Sequence, residues 1–224
     1  MKEKPSWPMR DWEVRAILED RKTMTRRVIK FNLSGRVQLG KKQWHIEDPN
    51  CINACPYQIG QKLWVRESWR VGAWAEDQRI AVDYKADNFS RRQWLDVPDE
   101  ELFERLYIQS TDDSIKKYGH QERYSWEPGE SPCRWRPSIF MPRWVSRIDL
   151  EVTNIKKVER LQDISEEDAI REGSQLPCSL LPKSCQQGVM TERQQFSRIW
   201  DSINGKKYPW NSNYWVWVIS FKRI

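Results

Sequence analysis

Apolar residues near the end of the chain recur every three or four positions and predict a helix. The stretch "TERQQFSRIWDSING" carries them at i, i+3, i+4 and i+7, as Phe196, Ile199, Trp200 and Ile203. Thr191 and Gln194 form a capping-box pattern at its start, and Gly205 follows its last apolar residue. The pattern therefore predicts an amphipathic helix that starts after Thr191 and ends at Gly205.

Two shorter segments carry other signals of a helix, one an apolar face and the other a capping pattern. In "DWEVRAILED" the residues on one face are Val14, Ile17 and Leu18. Asp11 is positioned to be the N-cap of this helix. In "ISEEDAIREG", Ser165 followed by Asp168 resembles a capping box, and Gly173 is suited to end the helix. Both segments predict short helices.

Other segments alternate or run continuously apolar and predict strands. "KLWVRESW" follows the Gly60 turn and has the composition of a buried strand. "RIDLEVTNIKKVERL" places Ile148, Leu150 and Val152 on one face. "YWVWVISFKRI" is apolar on both faces, which favours a central strand of a barrel or a curved sheet.

The pattern weakens in the middle of the chain, at about residues 85–137. "DVPDEELFERL" favours one helix, and "GHQERYSWEPGESP" has the composition of a loop. No repeat, low-complexity tract or Gly/Ser linker divides the sequence. We therefore expect a single α+β domain over residues 1–224, with an insertion at about 85–137.

The composition narrows the class of partner. Lys and Arg total 38 against 32 acidic residues, which gives a net charge of +6 and favours a polyanionic partner. Fourteen tryptophans are interleaved with arginines in "WVRESWR" and "CRWRPSIFMPRW". Bases stack on such side chains in nucleic-acid complexes, although most tryptophans in proteins pack in cores.

The cysteines and the hydropathy favour a cytoplasmic protein. No run of about 18 apolar residues occurs, no apolar segment follows Met1, and the five cysteines are an odd number. We therefore expect reduced thiols and no membrane association. A zinc site is an alternative, but its Cys-x3-Cys spacing has no second paired motif. Its ligands would be His45, Cys51, Cys55 and Cys133.

The stretch "DRKTMTRRVIK" crowds five cations and two threonines directly behind the first predicted helix. Lys22 precedes Thr25 by three positions, so the two side chains share a face if the helix continues and can also converge in a turn. A cation cluster at a helix C-terminus is common without function, because it interacts favourably with the helix dipole.

This stretch resembles the signature of ASCH domains, G-x-K-x-x-E-x-R. Lys22 and Arg27 match it, whereas Asp20 stands in the Gly position and Thr25 in the Glu position. The run "DRKTMTRR" is more similar to the ASCH subgroup that hydrolyses N4-acetylcytidine, which has the form R-K-T-x-T-x-R.

Further segments resemble ASCH proteins in the same order along the chain. "GQKLWV", "ISEEDAIREG" and "VWVISFKRI" are similar to the family's G-D-x-L-x-V strand, late helix and closing strand. The resemblance covers about residues 9–84 and 135–224 and is strongest to a phage and prophage group. It implies a PUA-like β-barrel with flanking helices and an inserted middle region, located in the bacterial cytoplasm if phage-encoded.

The resemblance also implies catalytic residues. Lys22, Thr25 and Glu172 correspond to the catalytic lysine, threonine and glutamate of the hydrolases. Amide hydrolysis would use the Thr25 hydroxyl as nucleophile and a Lys22 that is neutral part of the time as its base. A water activated by Lys22 or Glu172, with Thr25 only positioning it, is the alternative. No metal and no cofactor is expected.

The alternative function is a non-catalytic module that binds RNA, or less readily DNA, or recognises a modified base. In either case the partner is a nucleoside or nucleic acid, and protein partners are not predicted. Nuclease activity ranks last, because the sequence offers no His pair and no acidic metal cluster. The candidate substrate-binding residues are Arg21, Arg26, Arg27, Trp64, Arg66, Glu67, Trp69 and Arg143.

The catalytic alignment makes a geometric prediction. Lys22 and Thr25 are expected within about 2.6–3.2 Å, with Glu172 no more than one water away. A Glu172 on the open surface, or a Thr25 directed away from Lys22, would favour the binding function alone.

Overall fold

The computed structural model describes residues 5–31, 35–39, 41–87, 93–175 and 190–224. The described residues form ten β-strands and four α-helices. The strands are β1 Ser6–Pro8, β2 Met24–Val28, β3 Val37–Leu39, β4 Lys42–Trp44, β5 Lys62–Arg66, β6 Trp69–Trp74, β7 Arg79–Tyr84, β8 Gln93–Asp96, β9 Asp149–Arg160 and β10 Trp215–Arg223. The helices are α1 Asp11–Leu18, α2 Glu100–Tyr118, α3 Glu166–Arg171 and α4 Glu192–Asn204.

The chain divides into two compact units, each built from two segments. Unit 1 comprises Met1–Arg15 and Trp64–Asp149, and unit 2 comprises Ala16–Leu63 and Leu150–Ile224. The described residues between 85 and 137 belong to unit 1 together with β6, β7 and most of β5. A single domain with an insertion at 85–137 stays a prediction.

The sheet of unit 2 is antiparallel and has the closing strand in its middle. β10 pairs with β9 on one side and with β2 on the other, and Val218 lies opposite Arg26. Register shifts between Val218 and Ile219, and between Ser220 and Phe221, interrupt the β9–β10 ladder. Such bulges increase twist and bend a strand, so this sheet is curled. The apolar composition of β10 on both faces suits its central position.

Two helices cover this sheet with their apolar sides. Thr191 and Gln194 form the predicted capping box of α4, and Ser165 caps α3 by accepting a hydrogen bond from the Asp168 amide. α4 was predicted from its period and its capping box, and α3 from its capping pattern and Gly173; both helices are confirmed. The core they form with the sheet is entirely buried and consists of Met24, Leu161, Ile164, Ala169, Phe196, Trp200, Val216 and Val218.

Unit 1 contains a three-stranded antiparallel meander in the order β6-β7-β8. α2 begins at its N-cap Asp99 and is longer than the predicted helix, since it extends to Tyr118. The chain then runs through the predicted loop and returns through two 3-10 turns, Ser138–Phe140 and Arg143–Val145. The core of the unit contains Trp64, Trp69, Val71, Ile80, Val82, Tyr84, Leu106, Cys133, Met141 and Val145.

A second set of strand contacts completes unit 1. β1 runs parallel to β5, with Trp7 opposite Val65. The Val65 amide also donates to the carbonyl of Ile148, at 3.0 Å. α1 begins at Asp11 itself, so Asp11 lies in the first turn rather than at the N-cap.

The mixed α+β class is confirmed by these elements. A closed PUA-like barrel stays a prediction. Within the described ranges, none of the helices combines the length and the apolar composition that a membrane crossing requires.

Candidate functional site

Lys22 is held in place by the tight turn that ends α1. Asp20 adopts a left-handed backbone with φ 54°, a conformation that Asp tolerates better than most residues. The amides of Arg21 and Lys22 both donate to the carbonyl of Ala16, at 2.8 and 2.9 Å. The Thr23 amide donates to the backbone carbonyl of Arg171 at 2.9 Å, and this hydrogen bond fixes the turn against the end of α3.

Glu172 is positioned by the end of α3. Its amide donates to the Asp168 carbonyl at 2.9 Å, and Gly173 follows with φ 83°, a left-handed conformation that favours glycine. The Lys22 Nζ donates to the Glu172 carboxylate at 2.9 Å and to its backbone carbonyl at 2.8 Å. Two predicted catalytic residues that are 150 positions apart therefore meet directly.

Arg26 joins this pair to two further carboxylates. Its guanidinium donates to Glu159 at 2.6 and 2.9 Å, to Asp168 at 3.1 Å and to Glu172 at 3.2 Å. We refer to Lys22, Arg26, Glu159, Asp168 and Glu172 as the Arg26 cluster. All five residues are buried, at 3–6% exposure.

The electrostatics of the cluster keep Arg26 charged. Burial acts to lower the pKa of Arg26, but the carboxylates of Glu172, Glu159 and Asp168 outweigh it and raise this pKa above its ordinary value. Arg26 therefore remains a cation. Its planar fork suits the role of linking several carboxylates.

Thr25 lies beside the cluster but not in it. β2 places Met24 and Arg26 on one face, as the 3.6 Å contact between the Arg26 Nη1 and the Met24 sulfur shows. Because strand side chains alternate, Thr25 is directed to the opposite face, where Ile219 is its neighbour in β10. Among the described residues, no hydrogen bond joins the Thr25 hydroxyl to Lys22 or Glu172.

The expected contact of Lys22 with Glu172 is thus present, whereas the expected contact of Lys22 with Thr25 is not. The arrangement is an ion pair between two buried side chains, with the predicted nucleophile on the other side of the strand. The catalytic roles of Lys22, Thr25 and Glu172 stay predictions.

The other two predicted binding residues of unit 2 are more accessible. Arg21 pairs with Glu19 at 2.6 Å and donates to the carbonyl of Gln175 at 3.3 Å. Arg27 is half-buried on the same face of β2 as Thr25. Arg21 does not contact the Arg26 cluster in the part of the chain that the structure describes.

In unit 1, two predicted arginines stack on one tryptophan. The Cζ atoms of Arg66 and Arg143 each lie 5.9 Å from the ring of Trp64, within the range of cation–π contacts. Trp64 itself is only 4% exposed. Arg143 forms a bidentate pair with Asp149 at 2.6 and 2.8 Å.

Arg66 has no such carboxylate partner among the described residues. Its Nη1 donates to the carbonyl of Ile139 at 3.1 Å, and its Nε is buried without a hydrogen-bond partner. A guanidinium in this situation carries an uncompensated charge and unused hydrogen-bonding capacity.

Arg136 also lies over a tryptophan ring without a carboxylate partner among the described residues. It was not among the candidate binding residues expected from the sequence. Its Cζ lies 5.0 Å from the ring of Trp69, and its Nη2 donates to the Gln109 side chain at 3.1 Å. Its Nη1 is buried without a partner, and burial lowers the pKa of Arg136. Trp69 is 2% exposed, so it serves as a platform for Arg136 and presents little ring surface outside.

Glu67 belongs to a second buried charge network. Arg147 donates to both Glu67 oxygens at 3.0 Å and pairs with Asp87 at 2.8 Å. Its Cζ lies 3.9 Å from the Tyr84 ring. Burial raises the pKa of Glu67, and the hydrogen bond from Arg147 acts in the opposite direction. The sequence alone gave no signal for Arg147, Asp87 or Tyr84.

The three cysteines among the described residues lie in the interior. Cys51, Cys55 and Cys133 are buried and free. Burial raises the pKa of Cys55 to about 11, which leaves it a thiol near neutral pH. The described residues contain no group of three or more His, Cys, Asp or Glu side chains that could hold a metal ion.

Comparisons with known proteins do not assign the chain to a family. No family model, no curated protein and no solved structure matches the chain.

Proposed function

We propose that the protein is a nucleic-acid-binding module of the PUA-like, ASCH type, with RNA as its ligand. The observation that carries the proposal is the pair of guanidinium groups in unit 1, Arg66 and Arg136. Each stacks on a buried tryptophan, and neither has a carboxylate partner in the described part of the chain.

Physical chemistry favours an anionic ligand for these arginines. A partly buried charge is costly to leave unpaired, and phosphate oxygens match the planar fork of a guanidinium. Stacking on Trp64 and Trp69 orients both groups before a ligand arrives, which reduces the entropy lost on binding. The net charge of +6 and the resemblance of residues 9–84 and 135–224 to ASCH proteins support the same class of ligand.

The protein is expected to bind single-stranded RNA with an affinity that falls with salt. Fluorescence anisotropy with a labelled oligonucleotide of about 12 residues, between about 50 and 200 mM salt, measures this. Arg66→Gln and Arg136→Gln should each weaken binding about tenfold, because a charge-assisted hydrogen bond is lost. Each should also reduce the salt slope by about 0.7 per phosphate released.

Arg79→Gln is the matched control. Arg79 also stacks on a tryptophan, Trp94, but its charge is already paired with Asp77 at 2.6 Å. Its replacement should leave binding within about twofold. Binding that is undetectable to RNA and DNA at low salt, or equal losses for all three variants, would refute the proposed RNA site.

A second function, hydrolysis of N4-acylcytidine amides, is supported only in the form in which water is the nucleophile. The orientation of Thr25 away from Lys22 counts against Thr25 as the nucleophile, whereas the contact between Lys22 and Glu172 favours activation of a water. Two residues that the resemblance assigns to catalysis meet at 2.9 Å across 150 positions of sequence. Thr25 lies on the other face of β2. This geometry favours the mechanism in which a water molecule attacks the amide carbonyl and Glu172 or Lys22 accepts a proton from that water. The cluster would have to open, since both residues are buried.

If this second function holds, incubation with N4-acetylcytidine should release cytidine and acetate. Lys22→Ala and Glu172→Gln should each lower the rate at least about 100-fold, because each removes a proton-transfer group. Thr25→Ala separates the two mechanisms, since a nucleophile is indispensable and a positioning group is not. Chromatography of the nucleosides provides the measurement.

Thermal melting must accompany this assay, because Lys22 and Glu172 also hold unit 2 together. Arg171→Gln, which removes an exposed pair with Glu167 next to the cluster, is a control that should retain activity. Absence of turnover by the folded wild-type protein on several N4-acyl groups would reject hydrolysis and leave RNA binding unaffected.

A further inference from the structure

The 3-10 turn Ser138–Phe140 presents two large apolar side chains to solvent. Phe140 is 70% exposed and Ile139 is 63% exposed. Phe140 is the most exposed large hydrophobic residue in the described part of the chain. The other described phenylalanine of unit 1, Phe103, is partly buried and packs against the core of the unit. The exposure of Phe140 therefore needs an explanation beyond the ordinary scatter of apolar residues on a surface.

The turn is anchored on both sides. The Phe140 amide donates to the carbonyl of Pro137 at 2.9 Å, and the Met141 amide donates to Ser138 at 3.1 Å. Met141, the next residue, is 3% exposed and lies in the core of unit 1. With the backbone fixed in this way, the phenyl ring is held outward.

An uncompensated cation lies at the base of the same turn. The Arg66 Nη1 donates to the carbonyl of Ile139 at 3.1 Å. Arg66 is one of the two arginines on which the proposed function rests. The stretch from Cys133 to Trp144 contains three further arginines. Arg134 pairs with Asp113 at 3.5 Å and Arg143 with Asp149 at 2.6 Å, whereas Arg136 has no carboxylate partner among the described residues. The surface thus combines an exposed ring with positive charge, and this combination is complementary to a nucleotide rather than to an apolar protein surface.

We infer that Phe140 stacks on an unpaired base of single-stranded RNA while Arg66 binds an adjacent phosphate, so that the turn selects single strands over duplexes. This inference rests on the proposed function and names the state of the RNA it recognises. In a duplex each base face is covered by its neighbours, so a ring at a turn has no free face to stack on. Ile139 would contact the sugar or the edge of the same base.

The test compares one RNA sequence of about 12 nucleotides as a single strand and annealed to its complement. Anisotropy gives the two affinities, and a 2-aminopurine in the strand reports stacking by a change of its fluorescence. Phe140→Ala should weaken single-strand binding roughly 5- to 150-fold and leave duplex binding within about twofold. Phe140→Trp should restore both the affinity and the fluorescence change.

Two controls separate stacking from other effects. Tyr118→Ala removes an aromatic side chain of unit 1 that is 39% exposed and lies at the end of α2, and it should leave both affinities unchanged. Phe140→Ala should keep the salt slope of the wild-type protein, because it removes no cation. Arg66→Gln should lower that slope.

The outcomes distinguish the inference from the proposed function. Suppose that the wild-type protein binds RNA with the expected salt dependence, and that Phe140→Ala binds single strands with the same affinity as the wild-type protein. The inference is then overturned and the proposed function stands. The inference is also overturned if Phe140→Ala weakens single-strand and duplex binding equally. It is likewise overturned if the wild-type protein self-associates and Phe140→Ala abolishes this self-association without changing RNA affinity. Absence of RNA binding by the wild-type protein overturns both.

Discussion

Replacement of Arg26 with methionine is expected to lower the free energy of unfolding by about 3–5 kcal/mol, the usual cost of removing one partner from a buried ion network. Methionine retains much of the length of the side chain and its contact with the core. It removes every hydrogen bond that the guanidinium donates to Glu159, Asp168 and Glu172. Three buried carboxylates then lie together with Lys22 as the remaining cation of the cluster.

Chemical denaturation followed by tryptophan fluorescence measures this loss. Arg171→Met is the matched control in the same unit, because Arg171 forms an exposed pair with Glu167 at 2.7 Å, and such pairs contribute little. If the two variants were equally stable, the Arg26 cluster would not be what holds β2, β9 and α3 of unit 2 together.

Replacement of Arg147 with methionine should have an effect of similar size in unit 1, about 3–5 kcal/mol. Glu67 is 1% exposed and would lose both of its hydrogen bonds from the guanidinium, and Asp87 would lose its ion pair. The contact of the cation with the Tyr84 ring is lost as well. Thermal melting and denaturant titration measure the change.

This second loss should depend on pH. Burial already raises the pKa of Glu67 above its ordinary 4.5, and removal of Arg147 takes away the interaction that opposes this shift. A carboxyl whose folded-state pKa is raised destabilises the fold as pH rises from the unfolded value through the folded one. The deficit of the variant should therefore be larger at about pH 8 than at about pH 5.

Arg79→Met is the control for the second prediction, because Arg79 has both an acidic partner, Asp77, and an aromatic one, Trp94, on the exposed surface. It should melt close to the wild-type temperature at both values of pH. A deficit of Arg147→Met that is the same at pH 5 and pH 8 would contradict the role given to Glu67.

The elements that the sequence predicted well are those with a strong local signal. α4 has a capping box, a complete apolar stripe and a glycine after its last turn, and its bounds agree with the prediction to within one residue. β10 was expected in the middle of a sheet because both of its faces are apolar, and it lies between β9 and β2. In these segments local preference and tertiary packing favour the same structure.

The expected contact between Lys22 and Thr25 is absent because the segment that carries Thr25 is a strand and not a continued helix. Three positions of separation place Lys22 and Thr25 on one side of a helix, but the chain enters β2 at Met24. In a strand the side-chain period is two, so Arg26 and Met24 share a face and Thr25 takes the other. The apolar residues Met24 and Val28 bracket Arg26 at this period, which was the available signal for a strand.

The arginines and tryptophans of unit 1 show another limit of sequence interpretation. The interleaving of the two residue types was visible, but not which rings are covered. Trp64 and Trp69 are buried under arginines, whereas Trp135 is 38% exposed and Phe140 is 70% exposed. The burial of a ring depends on contacts between segments that are distant in the sequence. Where the aromatic residues follow no helical or strand period, such contacts cannot be predicted from a single sequence.

The hydrogen bond between Val65 and Ile148 has a consequence for how the chain folds. The bonds of the Arg26 cluster join residues up to 150 positions apart, and closing so long a loop costs configurational entropy that grows with the logarithm of its length. Unit 1 contains most of the intervening chain, and its own pairing of Val65 with Ile148 brings the two ends of that segment together. Once unit 1 has formed, the two halves of unit 2 are joined by a short effective tether, so the order with the lower entropic barrier is unit 1 first and the Arg26 cluster afterwards.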